Sequence, residues 1–155
     1  MLAGKRILLI ISGGIAAYES LDLIRRLRER GARVRAILTD GGAQFVTPLS
    51  VASLTGDKVY RELFSLTDES EMGHIRLSRE ADLVVVAPAS ADILAKMAQG
   101  RADDLATTAL LATDKDVLVA PAMHVEMWGH AATQANMATR EARGIARVGP
   151  NPGDL

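Results

Sequence analysis

A parallel α/β sheet covered by helices on both faces is the fold this chain predicts, on three observations. Short aliphatic runs rich in β-branched residues recur along it: Ile7 to Ile11, Asp82 to Ala87 (DLVVVA) and Asp116 to Ala120 (DVLVA). Strands buried on both faces read this way, as parallel strands do. Segments of helical periodicity separate the runs, so the strands must be joined by crossovers. Finally, the runs end in small, polar or proline-containing turns: Ser12-Gly13-Gly14, Thr39-Asp40-Gly41-Gly42, Pro88-Ala89-Ser90-Ala91 and Pro121-Ala122-Met123-His124. Ligands of such folds sit at the carboxyl ends of the strands. One such turn is ordinary loop chemistry, and four on one sheet edge argue for a site.

The first strand, within Lys5 to Ile11, breaks at Ser12-Gly13-Gly14. A helical stripe of Ala17, Leu21, Ile24 and Leu27 follows and stops at Gly31. A strand turning through Ser-Gly-Gly into a helix leaves backbone N–H groups free, and with the helix dipole these make a phosphate site. The spacing is neither the dinucleotide G-x-G-x-x-G nor a Walker loop. A tight turn with no ligand explains it as well. Arg33 to Leu38 is the second strand. Gln44 to Val46 is a short helical or loop element, and Pro48 to Leu54 a helix with proline in its first turn. Asp57 to Asp68 reads as a short strand and an exposed loop. Glu69 to Ser78 is a polar stretch before the Asp82 strand. Pro88 to Asp92 interrupts that strand, since proline removes a ladder donor and leaves the next N–H groups free. Helices are expected at Ile93 to Ala98, ended by Gly100, at Asp103 to Ala112, and over most of Val125 to Arg143. Ile145 to Val148 is a last short strand.

At 155 residues the chain is read as one domain, 1–155, long enough for a full core. Aromatics are only 3%, so Tyr18, Phe45, Tyr60, Phe64 and Trp128 carry the information about any planar ligand. Eighteen basic against 19 acidic residues give a formal net charge of −1, which offers no electrostatic case for nucleic acid. Absence of cysteine excludes disulfides, thiolate metal sites and a cysteine nucleophile within the sequence, and no metal site is indicated. With no membrane-length apolar run and no signal-peptide pattern, the expected location is cytoplasmic, away from membranes.

Taken together and in order, these turns resemble the family of flavoprotein cysteine decarboxylases that bind FMN, the phosphopantothenoylcysteine decarboxylases foremost. The matching residues are Ser12-Gly-Gly-Ile-Ala-Ala-Tyr18, Thr47-Pro-Leu49, Gly73-His74-Ile75, Pro88-Ala-Ser-Ala91 with Ala95-Lys-Met-Ala98, Gly100-Arg-Ala-Asp-Asp-Leu105, and Pro121-Ala-Met123 with Met127-Trp128. The resemblance implies a Rossmann-like sheet and a homo-oligomer, a trimer or a dodecamer, with flavin between subunits. It implies that Gly13, Gly14 and Ile15 lie along FMN with Ser12 capping the helix. Thr39 and the Pro88-Ala89-Ser90-Ala91 turn would hold phosphate and ribityl oxygens, Phe45 would pack on the ring, and Ala122 would meet it. His74 matches the family's active-site base, and a histidine in a polar loop suits a general base near neutral pH. Met123, His124 and Met127 fall at the substrate. Trp128 is expected at an interface or over the substrate, not in the interior.

In that family the flavin oxidises the cysteinyl thiol of 4′-phosphopantothenoylcysteine to a thioaldehyde. Carbon dioxide leaves, and the reduced flavin returns the electrons to give 4′-phosphopantetheine. Two departures stand out. His124 replaces the family's asparagine, whose planar amide suits a carboxylate. The histidine either weakens carboxylate positioning or binds as a cation where a neighbour favours that form. The family's flap cysteine would lie just beyond Leu155, so the reductive half is expected to be impaired in this chain. Asp92 for asparagine is milder, since both cap helices. An FMN-binding oligomer with a regulatory or structural role and no turnover is the alternative. A flavin prenyltransferase is less favoured, because Gly73-His74-Ile75 and Pro121-Ala122-Met123 match the decarboxylases.

Overall fold

The computed structural model describes residues 2–64 and 73–150. Six strands, β1 (Arg6–Ile11), β2 (Arg33–Leu38), β3 (Val59–Tyr60), β4 (Leu83–Ala89), β5 (Val117–Pro121) and β6 (Ala146–Arg147), pair in the order β3-β2-β1-β4-β5-β6. Every pairing is parallel. The expected parallel sheet is therefore present, and its strand order reverses direction between β1 and β4. In a doubly wound sheet that reversal opens a crevice at the carboxyl ends of the two strands.

Successive β1 side chains point to opposite faces. Ile7, Leu9 and Ile11 join Ile24, Val34, Leu38 and Val51 on one side, while Leu8 and Ile10 join Val86, Leu94, Met97 and Val119 on the other. Burial of each such side chain stabilises the fold by about 1.5–3 kcal/mol. Helices α1 (Glu19–Glu29) and α2 (Pro48–Thr55) follow the first two strands, and Thr47 caps α2 by accepting from the Ser50 N–H at 3.0 Å. The remaining helices are α3 (Gly73–Glu80), α4 (Ala91–Gln99), α5 (Leu105–Ala112), α6 (Val125–Gly129) and α7 (Ala131–Ala142).

Several expectations are corrected. A 3₁₀ turn, Ile15–Tyr18, precedes α1, and no side chain caps it. Ser12 is therefore not a helix cap. The segment from Gly73 is a helix, not a loop. Its buried residues are Leu77 and Ser78, with charged residues on the opposite face. The earlier residues of that polar stretch, 69–72, lie outside the described residues, as do 65–68 of the expected loop and residues 151–155. Proline does not stop β4, which runs through Pro88 to Ala89 with a register shift after Val86. Pro88 lacks a donor but keeps its carbonyl, and that acceptor is used. The helix after β5 is two helices divided at His130, whose Nδ1 accepts from the Ala132 N–H at 3.0 Å. Finally, Trp128 is half-buried against the core, with the Arg147 guanidinium 5.5 Å from its ring centroid. Its exposed part remains open to the interface or substrate role expected of it.

Candidate functional site

The four strand-end turns are joined edge to edge by hydrogen bonds. β1 and β2 run in step, Ile11 opposite Leu38, so their turns emerge at one level. Thr39 donates both its N–H (3.1 Å) and its hydroxyl (3.2 Å) to the Ile11 carbonyl, and its hydroxyl accepts from the Gly42 N–H. Gly13 and Gly41 meet there so closely that a Cβ on Gly13 would lie 3.2 Å from the Gly41 backbone. Across the β1–β4 crevice, the buried Ser12 hydroxyl donates to the Pro88 carbonyl at 2.5 Å and accepts from the Ser90 N–H at 2.9 Å. Ser20, buried on α1, donates to the neighbouring Ala87 carbonyl at 2.7 Å. The Ala122 N–H then donates to the Ala89 carbonyl at 3.1 Å, tying the β5 turn to the β4 turn.

This places the expected residues. Pro88 and Ala89 are buried strand residues that shape the site from beneath through their carbonyls. The hydroxyls of Ser12, Thr39 and Ser90 already hold turns together, Ser90 as the cap that accepts from the Ile93 N–H. The donors left over belong to the backbone: among the described residues the N–H groups of Gly13, Gly14, Ile15, Asp40, Gly41, Ala91 and Asp92 have no partner. Gly14 has φ +150, favourable only to glycine, and a Cβ there would meet nothing within 4 Å. The absent side chain leaves the amide face open to an incoming group.

Ser12, Gly13, Thr39, Asp40, Gly41, Ser90 and Ile93 line an open groove of about 430 Å³, with Asp92, Lys96, Asp103, Asp104 and Thr107 on its far side. The far-side residues Lys96, Asp103 and Asp104 stood within the matching motifs of the sequence but were given no role there. Lys96 reaches Asp92 at 3.3 Å and Asp103 at 3.7 Å. Burial works against its ammonium, but the hydrogen bond to Asp92 and the nearby carboxylates outweigh that and hold its pKa above the ordinary value. Asp104 is committed to capping α5, accepting from the Thr107 N–H at 2.8 Å. Beside the groove's mouth, Ile15 is 74% and Phe45 46% exposed.

His74 is not in this groove. It sits in the first turn of α3 and lines a separate hollow of about 170 Å³ with Arg35, Lys58, Tyr60, Arg76 and Leu105. Ser78, fully buried, offers its hydroxyl to the carbonyls of His74 (2.7 Å) and Ala109 (2.9 Å), clamping α3 to α5. Ser20 and Ser78 were invisible as supports because a buried serine reads as a surface residue. On the β5 turn, Met123 is half-buried while His124 and Met127 are exposed, and none of them lines the groove.

A doubly wound sheet with a cluster of free amides at its switch point is an arrangement chemically suited to phosphate oxygens at the strand ends. The chain belongs to the family described as Flavoprotein, whose model matches residues 1–154. It is 50% identical over 153 residues to the coenzyme A biosynthesis bifunctional protein CoaBC of Vibrio vulnificus (strain YJ016), which covers 99% of this chain and 38% of that protein. The chain thus spans well under half of that relative's length. Among solved structures it is similar to the FMN-dependent cysteine decarboxylase SpaF, with TM-score 0.91, 30% identity and coverage of 99% of this chain and 88% of that one. It is also similar to a PPC decarboxylase mutant complexed with pantothenoylaminoethenethiol, with TM-score 0.80, 32% identity and coverage of 96% and 83%. Among the described residues no helix is long and apolar enough to cross a membrane.

Proposed function

We propose that this chain binds FMN at the strand-end groove and decarboxylates 4′-phosphopantothenoylcysteine towards 4′-phosphopantetheine. The observation that carries the reading is the hydrogen-bonded line of turns, which leaves amides at Gly13, Asp40, Gly41 and Asp92 free around one groove, with those of Gly14, Ile15 and Ala91 free on the same turns. It is supported by the names of the relatives, CoaBC and the FMN-dependent cysteine decarboxylases. The fit is chemical: free N–H donors suit phosphate oxygens, Lys96 brings positive charge, and the carboxylates of the far side suit ribityl hydroxyls. Exposed Phe45 and Ile15 offer apolar area to the ring, and Ala122 lies at the neighbouring turn.

When bound, FMN supplies the two-electron chemistry at the cysteinyl carbon and sulfur. The chain's own residues do the rest. His74 takes the thiol proton on an imidazole nitrogen, and Ser78 holds the helix that carries it. Met123, His124 and Met127 bound the substrate at the β5 turn.

Within one chain the hollow at His74 and the strand-end groove are linked by a third, which shares Glu62, Leu63 and Leu105 with the first and Thr39, Asp40, Asp103 and Asp104 with the second. The chain's assembly is a trimer or a multiple of it, with the flavin between neighbouring copies. Exposed Ile15, Phe45 and Leu49 supply an apolar surface for the contact. The same groove would serve an FMN-binding oligomer without turnover. Two measurements decide: flavin absorbance that survives gel filtration, with native mass, then carbon dioxide release from the substrate. A colourless protein after reconstitution with FMN would overturn the whole reading, and a yellow trimer that releases no carbon dioxide would leave only the binding role.

A further inference from the structure

The groove proposed for FMN is short of positive charge. Asp40, Asp92, Asp103 and Asp104 line it against one cation, Lys96, and Lys96 already reaches Asp92 and Asp103. A phosphate monoester carries about −1.5 to −2 charge near neutral pH. Free amides alone would set it among carboxylates of the same sign, so the groove calls for a further cation.

The hollow that links the groove to His74 supplies one. Arg61 comes one residue after β3, whose Tyr60 pairs with Ile37 of β2, so it emerges beside the Thr39 turn. It lines the linking hollow of about 350 Å³, and Thr39 and Asp40 line that hollow and the groove alike. Among the described residues that line the two, Lys96 and Arg61 are the only cations. Arg61 is also underused. Its one hydrogen bond among the described residues runs from Nη2 to the Asp40 carboxylate at 3.1 Å, and that carboxylate is 99% exposed. Its Nε is buried and has no partner among them. A guanidinium offers five donors, and a buried donor left unmatched is unfavourable. An ion pair to so exposed a carboxylate holds it only weakly. The Asp40 N–H, meanwhile, is free, as is that of Gly41 beside it. The guanidinium therefore already rests against the residue whose amide is open to a phosphate.

We propose that Arg61 is a phosphate-binding residue of the FMN site, held by the Asp40 carboxylate when no flavin is bound and turning to the cofactor's phosphate when it is. The proposal rests on the reading that FMN occupies the groove. Asp40 takes a single donor of the planar fork, whereas phosphate oxygens accept two at once and carry more charge. The exchange gives up a weak surface pair for a charge-assisted contact at the edge of the bed of amides.

The test loads the full chain with FMN or with riboflavin, which lacks the phosphate, and follows flavin release on dilution by its fluorescence. Wild-type protein should hold FMN more tightly than riboflavin, with a preference that shrinks as salt rises. Arg61→Gln should weaken FMN by about 10–100-fold and leave riboflavin unchanged, so that riboflavin also reports an intact fold. Asp40→Asn frees Arg61 and removes a like charge, so it should tighten FMN by about two- to fivefold, with riboflavin again unchanged. An Arg61→Gln protein that keeps its FMN affinity or loses both flavins alike would overturn the proposal, as would an Asp40→Asn protein that holds FMN no more tightly. Wild-type protein that holds the two flavins equally would also overturn it, while leaving the FMN reading standing. If it holds neither flavin, the FMN reading fails, and the proposal with it.

Discussion

The turns along the carboxyl edge of the sheet and the helix that carries His74 are held by opposite kinds of physics. The turns are fixed from below by buried hydroxyls and carbonyls: Ser12 to Pro88 and Ser90, Ser20 to Ala87, Thr39 to Ile11. Helix α3 is fixed by the buried Leu77 and Ser78 and, at the surface, by the ion pair of Glu80 with Arg35 of β2 at 2.6 Å. The lesson is a division of labour. A bed of free amides needs a backbone that does not move, and buried hydrogen bonds supply that. The proton-handling role proposed for His74 needs access to solvent and substrate, and a helix at the surface supplies that.

The sharpest way to break this comparison is at His74 itself. His74→Asn should lower carbon dioxide release by about 10²–10⁴-fold with flavin retained, because no fold contact uses its ring among the described residues. Steady-state kinetics and the flavin spectrum of one preparation suffice. A variant that loses its flavin or melts early would make His74 part of the scaffold instead.

Next in size is Ser12→Ala, which tests the edge. It removes one of two donors to the Pro88 carbonyl, the Ser12 N–H at 3.4 Å being the other, and, among the described residues, the acceptor of the Ser90 N–H. Leaving a buried donor unpaired costs about 1–3 kcal/mol. Denaturant unfolding should show a loss of about 1–3 kcal/mol and FMN titration a weaker complex. Full stability would mean that the turns are held some other way.

Ser78→Ala should be milder, about 1 kcal/mol, since the His74 carbonyl, in the first turn of α3, is also a helix acceptor. Its distinctive effect should be a fall in turnover without loss of flavin, as α3 loses its clamp to α5. Hydrogen exchange of the α3 amides is the measurement. Unaltered exchange there would show that the ion pairs alone position the helix.

How much of this could be read from residues alone follows the same division. β1, β4 and β5 were legible because an unbroken aliphatic run has few other uses, and the turns after them because glycine, serine and proline punctuate so strongly. The reach of β4 through Pro88 was not, because the rule about proline concerns its missing donor while the structure uses its carbonyl. α3 was not, because its short sequence is mostly polar and charged, with Leu77 and Ser78 as its buried residues. The division at His130 was missed since histidine is a rare cap. Lys96, Asp103 and Asp104 were read only as parts of matching motifs, because charges spaced along a helix look like a solvated face until the fold turns them onto a groove.

The smallest expected effect tests the surface tether of α3 by pH. The hydrogen bond from Arg35 holds the Glu80 carboxyl below its ordinary value, the positive charges of Arg35 and Arg76 adding to it against partial burial. A carboxyl whose pKa is lower folded than unfolded adds stability that is complete above the unfolded value of about 4.3. That stability is lost as pH falls through the folded value. Glu80→Gln should therefore be slightly less stable than wild type at neutral pH, by no more than about 1 kcal/mol because the pair faces solvent. The gap should narrow as pH drops below the carboxylate range, and salt should shrink it at neutral pH. Thermal melts of both proteins across pH 3 to 7, at low and high salt, follow the difference. A gap that persists at the acid end would mean that Glu80 holds α3 by packing, not by charge, and the contrast between the two regions would lose its electrostatic half.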